Sequence, residues 1–461
     1  MKEFSTEKAP DISRSQVDIP KSRRLPNGFS DPVSFTCTCP ASSSPDGGQV
    51  LLFYRYFAAS PALPNTQVSQ ENLTSLESFH TNLTQKHSIG GKIRIAQEGF
   101  NITVGGTKES IFAYTQACIA HWSFSNLDLD TAQKQREFFK PTPGGCSCVF
   151  GGAPASVRVT AEITPMGVTN YLPSSWDSIE VLTPEEFHER CHAEPNTLLL
   201  DVRNHYESRI GYFVDPRTGE PALRPQIRRF SQWPQYVNRR MVGEEKGERQ
   251  ILTFCTGGIR CEKGARFLQE RTGDRVATLK GGIAGYLMWM DEEIEQGRKR
   301  PEESLFKGRN FVFDARGSTT LEEDDKIEPV AKCHVCTNSS DRLGKCRSKG
   351  CHLVLVVCAA CELSDDPRCC QSCLDMDVLA QADGNPDTNS RSRPICSCEK
   401  EREANLWGEY VKLPKQQKTR KGTRKGLRDG VNMNIQVQSL DSSMGIPNEL
   451  KAAFGVNVQA T

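Results

Sequence analysis

No apolar run in this 461-residue chain approaches the roughly 18 residues that a membrane-spanning helix requires. The first residues, Met1-Lys-Glu-Phe-Ser-Thr-Glu-Lys8, also lack the apolar core of a secretory signal peptide. The formal net charge is only +1, so any contact with nucleic acid must come from local patches and not from overall charge. We therefore expect a cytoplasmic protein without a membrane partner.

Motifs for a flavin, a haem or an iron centre are missing as well, so the sequence indicates no organic cofactor. The 37% of hydrophobic residues is enough for two or three domain cores in a chain of this length. Residues 1–48 are rich in Ser and Pro and predict a disordered leader. Residues 377–461 include a Gly-punctuated basic run at 412–428 and predict a basic, largely disordered tail.

Residues 49–170 predict a first α+β domain. Hydrophobic periodicity gives the order β-α-β-β-α-β, which is the ferredoxin-like (acylphosphatase-like) arrangement. The Pro- and Gly-rich stretch at 141–154 interrupts this order and predicts a loop extension. The elements that we expect are strand 50–57, helix 69–87, hairpin 92–104, helix 107–121 and a closing strand at 156–164.

Residues 180–315 predict an α/β domain with an open parallel sheet. Three short apolar runs, Leu198-Leu-Leu200, Ile251-Leu-Thr-Phe254 and Val276-Ala-Thr-Leu279, are separated by helical or irregular crossovers. Ligands bind such sheets at the carboxyl ends of the strands. Cys255 follows the second run directly, so we expect it in a ligand site.

The segment Cys255-Thr-Gly-Gly-Ile-Arg-Cys-Glu-Lys263 has the composition of an anion-binding loop. Successive backbone N–H groups and the helix that we expect from Glu262 would favour a thiolate or a persulfide anion. Arg260 adds a cation, and such settings lower a thiol pKa into the range of about 3.5–7.5. The alternative is a buried cysteine before an ordinary βα turn. We predict that Cys261 packs behind the loop, pointing away from the pocket, with a resolving role as its alternative.

Several further stretches accompany this loop: Phe53-Tyr-Arg-Tyr-Phe57, Ile93-Arg-Ile-Ala-Gln-Glu-Gly-Phe-Asn-Ile102, Leu200-Asp-Val-Arg-Asn-His-Tyr-Glu207, Pro234-Gln-Tyr-Val237, Leu279-Lys-Gly-Gly-Ile283 and Gly308-Arg-Asn-Phe-Val-Phe-Asp314. Together with the Cys255 loop, these motifs resemble the rhodanese family. Similarity is greatest to the subfamily that contains the bacterial tRNA uridine hydroxylases and the thiosulfate sulfurtransferase/rhodanese-like domain-containing proteins, and it extends over roughly residues 50–375. The resemblance implies that Cys255 is catalytic, together with Arg260. It implies that the active-site loop consists of Thr256, Gly257, Gly258, Ile259 and Cys261.

Two reactions compete for Cys255. In sulfur transfer, the thiolate attacks a sulfane donor such as thiosulfate, and the loop amides and Arg260 hold the persulfide. In the reaction that the resemblance implies, the same cysteine supports oxygen-dependent 5-hydroxylation of a uridine in the tRNA anticodon loop. We predict a rhodanese-type sulfurtransferase acting in tRNA modification, with hydroxylation as the alternative. A non-catalytic scaffold is the second alternative, although the intact loop argues against it.

Two further sets of residues are candidates around this loop. Asp201 and Arg203 end the first strand and predict a paired support for the loop. The segment 224–240 interleaves cations with aromatic residues, which suits phosphate pairing and base stacking. Its alternative is that the aromatic residues belong to the core. The possible RNA contacts are Arg228, Arg229, Trp233 and Tyr236.

Residues 330–376 contain four pairs of cysteines with the spacing of zinc ligands in a reducing compartment. Eight thiolates make two structural Zn²⁺ sites, and the pairing of the knuckles stays open. We assign the eighth ligand to Cys370, with Cys369 as the alternative, and regard Cys396-Ser-Cys398 as incidental. The predicted ligands are Cys333, Cys336, Cys346, Cys351, Cys358, Cys361, Cys370 and Cys373.

Overall fold

The computed structural model describes residues 47–64, 68–168, 171–193, 197–243, 249–321, 328–364, 367–382 and 394–407. All of them belong to one compact unit, residues 1–411. The predicted leader up to residue 46 and the basic run at 412–428 lie outside the described residues. Among the helices that the structure describes, none is long and apolar enough to cross a membrane.

The N-terminal domain contains the predicted split β-α-β unit. Strand β3 lies between β1 and β2 and is antiparallel to both. The side chains of Ser69 and Thr107 accept N–H groups at the starts of α1 and α2, so both helices begin where the sequence predicts. The elements are β1 (Gly48–Tyr56), α1 (Gln70–Lys86), β2 (Gly90–Ala96), β3 (Gly99–Thr107), α2 (Lys108–Ile119), α3 (Ala132–Phe139) and β4 (Ser156–Val159).

The closing strand does not lie where the ferredoxin-like prediction put it. The sheet order is β1-β3-β2-β4, so β4 pairs in parallel with β2, at the edge away from β1. On the edge of β1 that faces away from β3, the described residues include a single bridge to Thr142, whose backbone exchanges two hydrogen bonds with Val50 at 2.9 and 2.8 Å. The extension at 141–154 then crosses the sheet close to its backbone. A Cβ on Gly90 would lie 2.5 Å from the Gly152 carbonyl oxygen, so this crossing requires glycine.

The second domain is built on a four-stranded parallel sheet in the order β5-β9-β8-β6, which confirms the α/β prediction. The edge strand β5 was not predicted, because three residues carry too little periodicity to identify a strand. The elements are β5 (Glu180–Leu182), α4 (Pro184–Ala193), β6 (Thr197–Asp201), β7 (Gly211–Phe213), α5 (Trp233–Tyr236), β8 (Gln250–Phe254), α6 (Ile259–Thr272), β9 (Arg275–Leu279), α7 (Gly282–Glu295), β10 (Phe306–Gly308), β11 (Asn310–Phe311) and β12 (Ser318–Thr319).

The C-terminal module surrounds a small core made largely of cysteine side chains. One helix, α10, lies in the segment that the sequence assigned to a disordered tail. Leu406 of α10 packs into the core of the second domain, which explains why this part of the tail is ordered. The elements are β13 (Leu343–Lys345), β14 (Val354–Val356), α8 (Ala359–Ser364), α9 (Gln371–Ala382) and α10 (Ser397–Trp407).

A buried lysine joins the first two domains. The Nζ of Lys263, on α6, lies 2.9 Å from Glu98 Oε2 and 2.6 Å from Glu162 Oε2. Its side chain is 2% exposed, so it compensates two carboxylates away from bulk water. Close by, the Tyr56 hydroxyl of β1 donates to the Ile259 carbonyl at 3.1 Å. The N-terminal domain is therefore fixed directly against the helix that follows Cys255.

We expect Lys263→Met to lower the free energy of unfolding by about 3 kcal/mol or more, because it leaves two largely buried carboxylates uncompensated. Urea unfolding followed by tryptophan fluorescence measures the change. Lys280→Met is the control, since Lys280 and Glu137 form an exposed pair at 3.7 Å. Lys280→Met should lower the free energy of unfolding by less than about 1 kcal/mol. Equal losses in the two variants would contradict this account of the interface.

Candidate active site

Cys255 follows β8 directly and is completely buried. The loop after it lies against the start of α7, where the Ile283 N–H donates to the Cys255 carbonyl at 2.9 Å and the Ala284 N–H to the Thr256 carbonyl at 3.0 Å. Gly282 has a φ of +63°, and a Cβ there would lie 2.4 Å from the Cys255 carbonyl oxygen. Glycine is thus required for α7 to approach the loop so closely.

The sulfur of Cys255 is surrounded by donors. The Gly258 N–H lies 3.2 Å from Sγ. Burial by itself raises the pKa of the thiol, but the Cys261 thiol, the charge of Arg260 and the backbone N–H groups of Cys261 and Arg260 together lower the pKa of Cys255 to about 6. The thiolate is therefore the main form at neutral pH, as the sequence predicts.

Cys261 does not point away from the pocket. Helix α6 begins at Ile259, three residues earlier than expected, and this places Cys261 in its first turn. Burial and the neighbouring Cys255 raise the pKa of Cys261 well above its usual value, so it remains a thiol that donates a hydrogen bond to the Cys255 sulfur. The two sulfurs therefore form a thiol–thiolate pair.

Arg260 braces the loop. Its guanidinium forms a fork with Glu207, with Nη1–Oε1 at 2.6 Å and Nη2–Oε2 at 2.7 Å. Nη2 also donates to the Thr256 hydroxyl at 2.9 Å, and that hydroxyl donates to Glu207. The guanidinium of Arg260 is therefore occupied by Glu207 and Thr256. The sequence analysis predicted instead that Arg260 holds a persulfide directly. Glu207 belongs to the recognised motif at 200–207, but its pairing with Arg260 was not predicted.

Asp201 and Arg203 form a second buried pair, with Arg203 Nη2 2.7 Å from Asp201 Oδ2. Arg203 also donates to the Gly211 carbonyl at 2.6 Å, which ties the end of β6 to β7. Both side chains are at most 1% exposed, so neither meets solvent or a substrate. The predicted pair is therefore present, but its contacts stabilise the junction of β6 and β7, and support of the Cys255 loop stays a prediction.

The aromatic half of the predicted RNA contact is wrong. Trp233 is fully buried, and its indole N–H donates to the Gly264 carbonyl at 3.0 Å. Tyr236 is 6% exposed and packs in the same core. Arg228 and Arg229 remain accessible, and Arg228 lies 2.9 Å from Glu399 on α10. The interleaved pattern therefore combines aromatic residues that belong to the core with arginines that stay at the surface, which was the alternative interpretation of this segment.

The N-terminal domain covers the two glycines of the loop. A Cβ on Gly257 would lie 2.7 Å from Leu52 Cδ2, and one on Gly258, whose φ is +100°, would lie 2.7 Å from the Tyr54 hydroxyl. Lys140 follows α3, with its Nζ 5.8 Å from the centre of the Tyr54 ring. Burial and then Lys280 lower the pKa of Lys140 to about 7, while the negative charge of Cys255 acts in the opposite direction. Leu52 and Tyr54 thus lie directly over the loop that follows Cys255.

A cavity of about 900 Å³, which we call the basic groove, opens beside the loop. Its walls come from the N-terminal sheet, the loop residues Thr256, Gly257, Ile259 and Arg260, and the hairpin β13–β14. None of the described residues that line it is an Asp or a Glu. The Lys and Arg residues in its walls are Lys92, Arg94, Arg228, Arg229, Arg260 and Lys345.

Three of the cations near the groove repel one another. Arg94 on β2 lies opposite Arg158 on β4. Burial, followed by Arg94 and Arg158, lowers the pKa of Lys92 to about 8. Burial and Arg158 also lower the pKa of Arg94. A bound anion would relieve this repulsion, which makes this part of the groove suited to phosphate.

The cysteine pairs of the C-terminal module interleave. Two groups of four have their sulfur atoms within 4.8 Å of one another, and each group could hold a metal ion. The second group contains Cys369, where the sequence analysis chose Cys370, because adjacent residues direct their side chains differently. The first group is Cys333, Cys336, Cys358 and Cys361, and the second is Cys346, Cys351, Cys369 and Cys373.

Comparison with known proteins places these features in a family. The family described as "UPF0176 acylphosphatase like domain" matches residues 48–142, and "Rhodanase C-terminal" matches residues 307–374. A tRNA uridine(34) hydroxylase of Legionella pneumophila (strain Lens) is 35% identical over 251 residues, which cover 54% of this chain and 84% of that protein. A tRNA uridine(34) hydroxylase of Leptospira interrogans is 37% identical over 288 residues, covering 61% of this chain and 68% of that protein.

This chain belongs to the rhodanese-like family of the tRNA uridine(34) hydroxylases, as its motifs indicated, and it is an enzyme. "Rhodanese-like domain-containing protein 6" of Arabidopsis thaliana is 27% identical over 369 residues, which cover 76% of this chain and 58% of that longer protein. A solved rhodanese-like domain from Anabaena, at 22% identity, covers 24% of this chain and 74% of its own, with a TM-score of 0.19. That score is too low to bear on the fold. The first family match ends at Thr142, where the chain leaves the edge of β1.

We expect Cys255 of this rhodanese-like enzyme to titrate near pH 6. The ultraviolet absorbance of the thiolate, taken as the difference between the unmodified protein and Cys255→Ser, measures the midpoint. Cys261→Ala should raise this midpoint, because it removes a hydrogen-bond donor to the sulfur.

The lowered pKa of Cys255 also makes the stability of the folded protein depend on pH. In the unfolded chain the thiol of Cys255 has a pKa of about 8.5, so the thiolate stabilises the folded protein fully above that pH. This contribution is lost as the pH falls through about 6. A titration midpoint above pH 8, measured from the difference in thiolate absorbance, would contradict the proposed environment of Cys255.

Proposed function

We propose that this protein hydroxylates a uridine of tRNA and that Cys255 is the reacting residue. The observation that carries the proposal is the position of a buried, thiolate-forming cysteine beside a groove lined by cations and free of lining carboxylates. Relatives that share most of their length with this chain are named tRNA uridine(34) hydroxylases. The sequence analysis gave sulfur transfer first place, and the comparisons favour the alternative.

The charge of the groove supports RNA as the substrate class. Lys and Arg side chains supply the phosphate contacts on which affinity for nucleic acids mainly depends. A volume of about 900 Å³ exceeds what one nucleotide requires. Nucleotides of an anticodon loop are unpaired, so one base can enter such a pocket at a low cost in stacking energy. Since Cys255 is fully buried, side chains that cover the loop, such as Leu52 and Tyr54, must move to admit the base.

The thiol–thiolate pair of Cys261 and Cys255 can supply the two electrons that a hydroxylation by dioxygen requires. Inserting one oxygen atom of dioxygen into the uracil C5–H bond leaves the second oxygen atom to be reduced to water. That reduction takes two electrons and two protons. Closure of Cys255 and Cys261 to a disulfide supplies both electrons, while Cys261 gives one proton and solvent gives the other. An external thiol then restores the pair by exchange.

Sulfur transfer remains the second candidate, since the N–H groups around Cys255 would stabilise a persulfide anion in the same way. It differs from hydroxylation in needing a sulfane donor such as thiosulfate and no dioxygen. A requirement for one or the other separates the two reactions.

The cysteine groups of the C-terminal module suit structural Zn²⁺, because four thiolates form the usual tetrahedral site of this ion. The hairpin between the groups supplies Lys345 and Val354 to the groove. Zinc would thereby stabilise one wall of the proposed RNA site without taking part in the chemistry.

We expect unmodified tRNA incubated in air with the protein and a thiol reductant to gain hydroxyuridine, and Cys255→Ser to abolish it. Accurate-mass nucleoside analysis, with and without thiosulfate, distinguishes the added oxygen from the exchange of oxygen for sulfur, which has the same nominal mass. A thiouridine formed only with thiosulfate would replace hydroxylation by sulfur transfer. No product under either condition would remove tRNA as the substrate.

Reversing the charge of the groove should weaken binding of tRNA. We expect Arg94→Glu combined with Lys345→Glu to reduce affinity by about tenfold or more and to lower the slope of affinity against salt, because two phosphate contacts are lost. Fluorescence anisotropy with labelled tRNA measures both. The control is Lys86→Glu combined with Lys108→Glu, which makes the same change in charge outside the groove. Equal weakening by both pairs would refute the assignment of the groove.

A further inference from the structure

Two cysteines of the C-terminal module lie beside the second metal group without belonging to it. They are Cys370 and Cys396, and their sulfur atoms form a third group with Cys369 and Cys373, all within 4.8 Å of one another. The sulfur of Cys369 lies 3.4 Å from that of Cys373, 3.6 Å from that of Cys396 and 3.8 Å from that of Cys370. Cys396, which the sequence analysis regarded as incidental, thus has its sulfur among three others in this group.

Cys369 and Cys373 are common to the second and third groups. The two groups together contain six sulfurs, of which two are shared and four belong to one group only. Two tetrahedral ions that share two bridging thiolates require this number and this distribution of ligands. A thiolate has enough lone pairs to bind two soft d¹⁰ ions at once, whereas a carboxylate or imidazole site would not favour such a cluster.

We infer that the module binds a third metal ion at Cys369, Cys370, Cys373 and Cys396, bridged by two thiolates to the ion of the second group. The chemical class of the ligand is Zn²⁺ or another thiophilic d¹⁰ cation. Six thiolates carry two more negative charges than the two ions neutralise. Backbone donors offset part of this excess, and the Cys369 N–H lies 3.4 Å from the Cys346 sulfur.

The third ion would fix the position of α10. Cys396 immediately precedes this helix, so a metal bond at Cys396 ties its start to α9. From there α10 reaches the second domain, where Arg402 Nη1 donates to the Gln226 carbonyl at 2.6 Å. Glu399 of the same helix pairs with Arg228 in the wall of the basic groove. Metal binding would thus be connected through α10 to one cation of the groove, Arg228.

Metal content tests the inference without any assay of activity. We expect the purified full chain to contain three zinc ions by native mass spectrometry and elemental analysis, and Cys370→Ser combined with Cys396→Ser to contain two. The matched control is Cys398→Ser, which lies in the first turn of α10. The Cys398 thiol donates to the Cys369 carbonyl at 2.9 Å and is outside the proposed ligand set, so this variant should keep three ions.

Replacement of zinc by ¹¹³Cd tests the bridge itself. Three resonances typical of all-sulfur coordination are expected, and two of them should show cadmium–cadmium coupling through the shared thiolates. Two ions in the unmodified chain would overturn the inference. So would loss of an ion in Cys398→Ser, or three resonances without coupling.

Discussion

The stabilisation of a buried negative sulfur is the constraint on which the rest of the site depends. Cys255 has no exposed surface, and an anion in such a place must be compensated by fixed donors. Gly258 gives a backbone N–H and Cys261 a thiol, while Arg260 gives a charge that Glu207 holds in place. The backbone donor depends on the close approach of the loop to its neighbours, which requires glycine at positions 258 and 282.

The three structural modules meet at this loop. The N-terminal sheet lies over the glycines and is fixed to α6 through Lys263. The C-terminal hairpin and α10 reach the other side, where Glu399 pairs with Arg228. All three modules contribute residues to the basic groove, and this makes the cysteine clusters relevant to the proposed RNA site although they lie apart from the sulfur.

The sequence was sufficient where function is encoded in contiguous residues. Cys255 and its loop, the Asp201–Arg203 pair and the cysteine knuckles all follow from short motifs. It was insufficient where the answer depends on contacts between distant segments. Glu207 lies 53 residues from Arg260, and only the folded chain joins them. The position of β4 beside β2 in the N-terminal sheet and the burial of Trp233 likewise depend on packing, which a local sequence pattern does not encode. Cys261 was misplaced because its helix starts one turn earlier than expected.

The central proposal is that Cys255 acts as a thiolate and passes electrons to oxygen together with Cys261. A single turnover of the fully reduced protein with unmodified tRNA under ¹⁸O₂, without added thiol, tests this most directly. The account predicts one ¹⁸O atom in the modified uridine and one Cys255–Cys261 disulfide for each uridine modified. Labelled hydroxyuridine formed while both cysteines stay reduced, or formed by Cys261→Ser at the same yield, would contradict it.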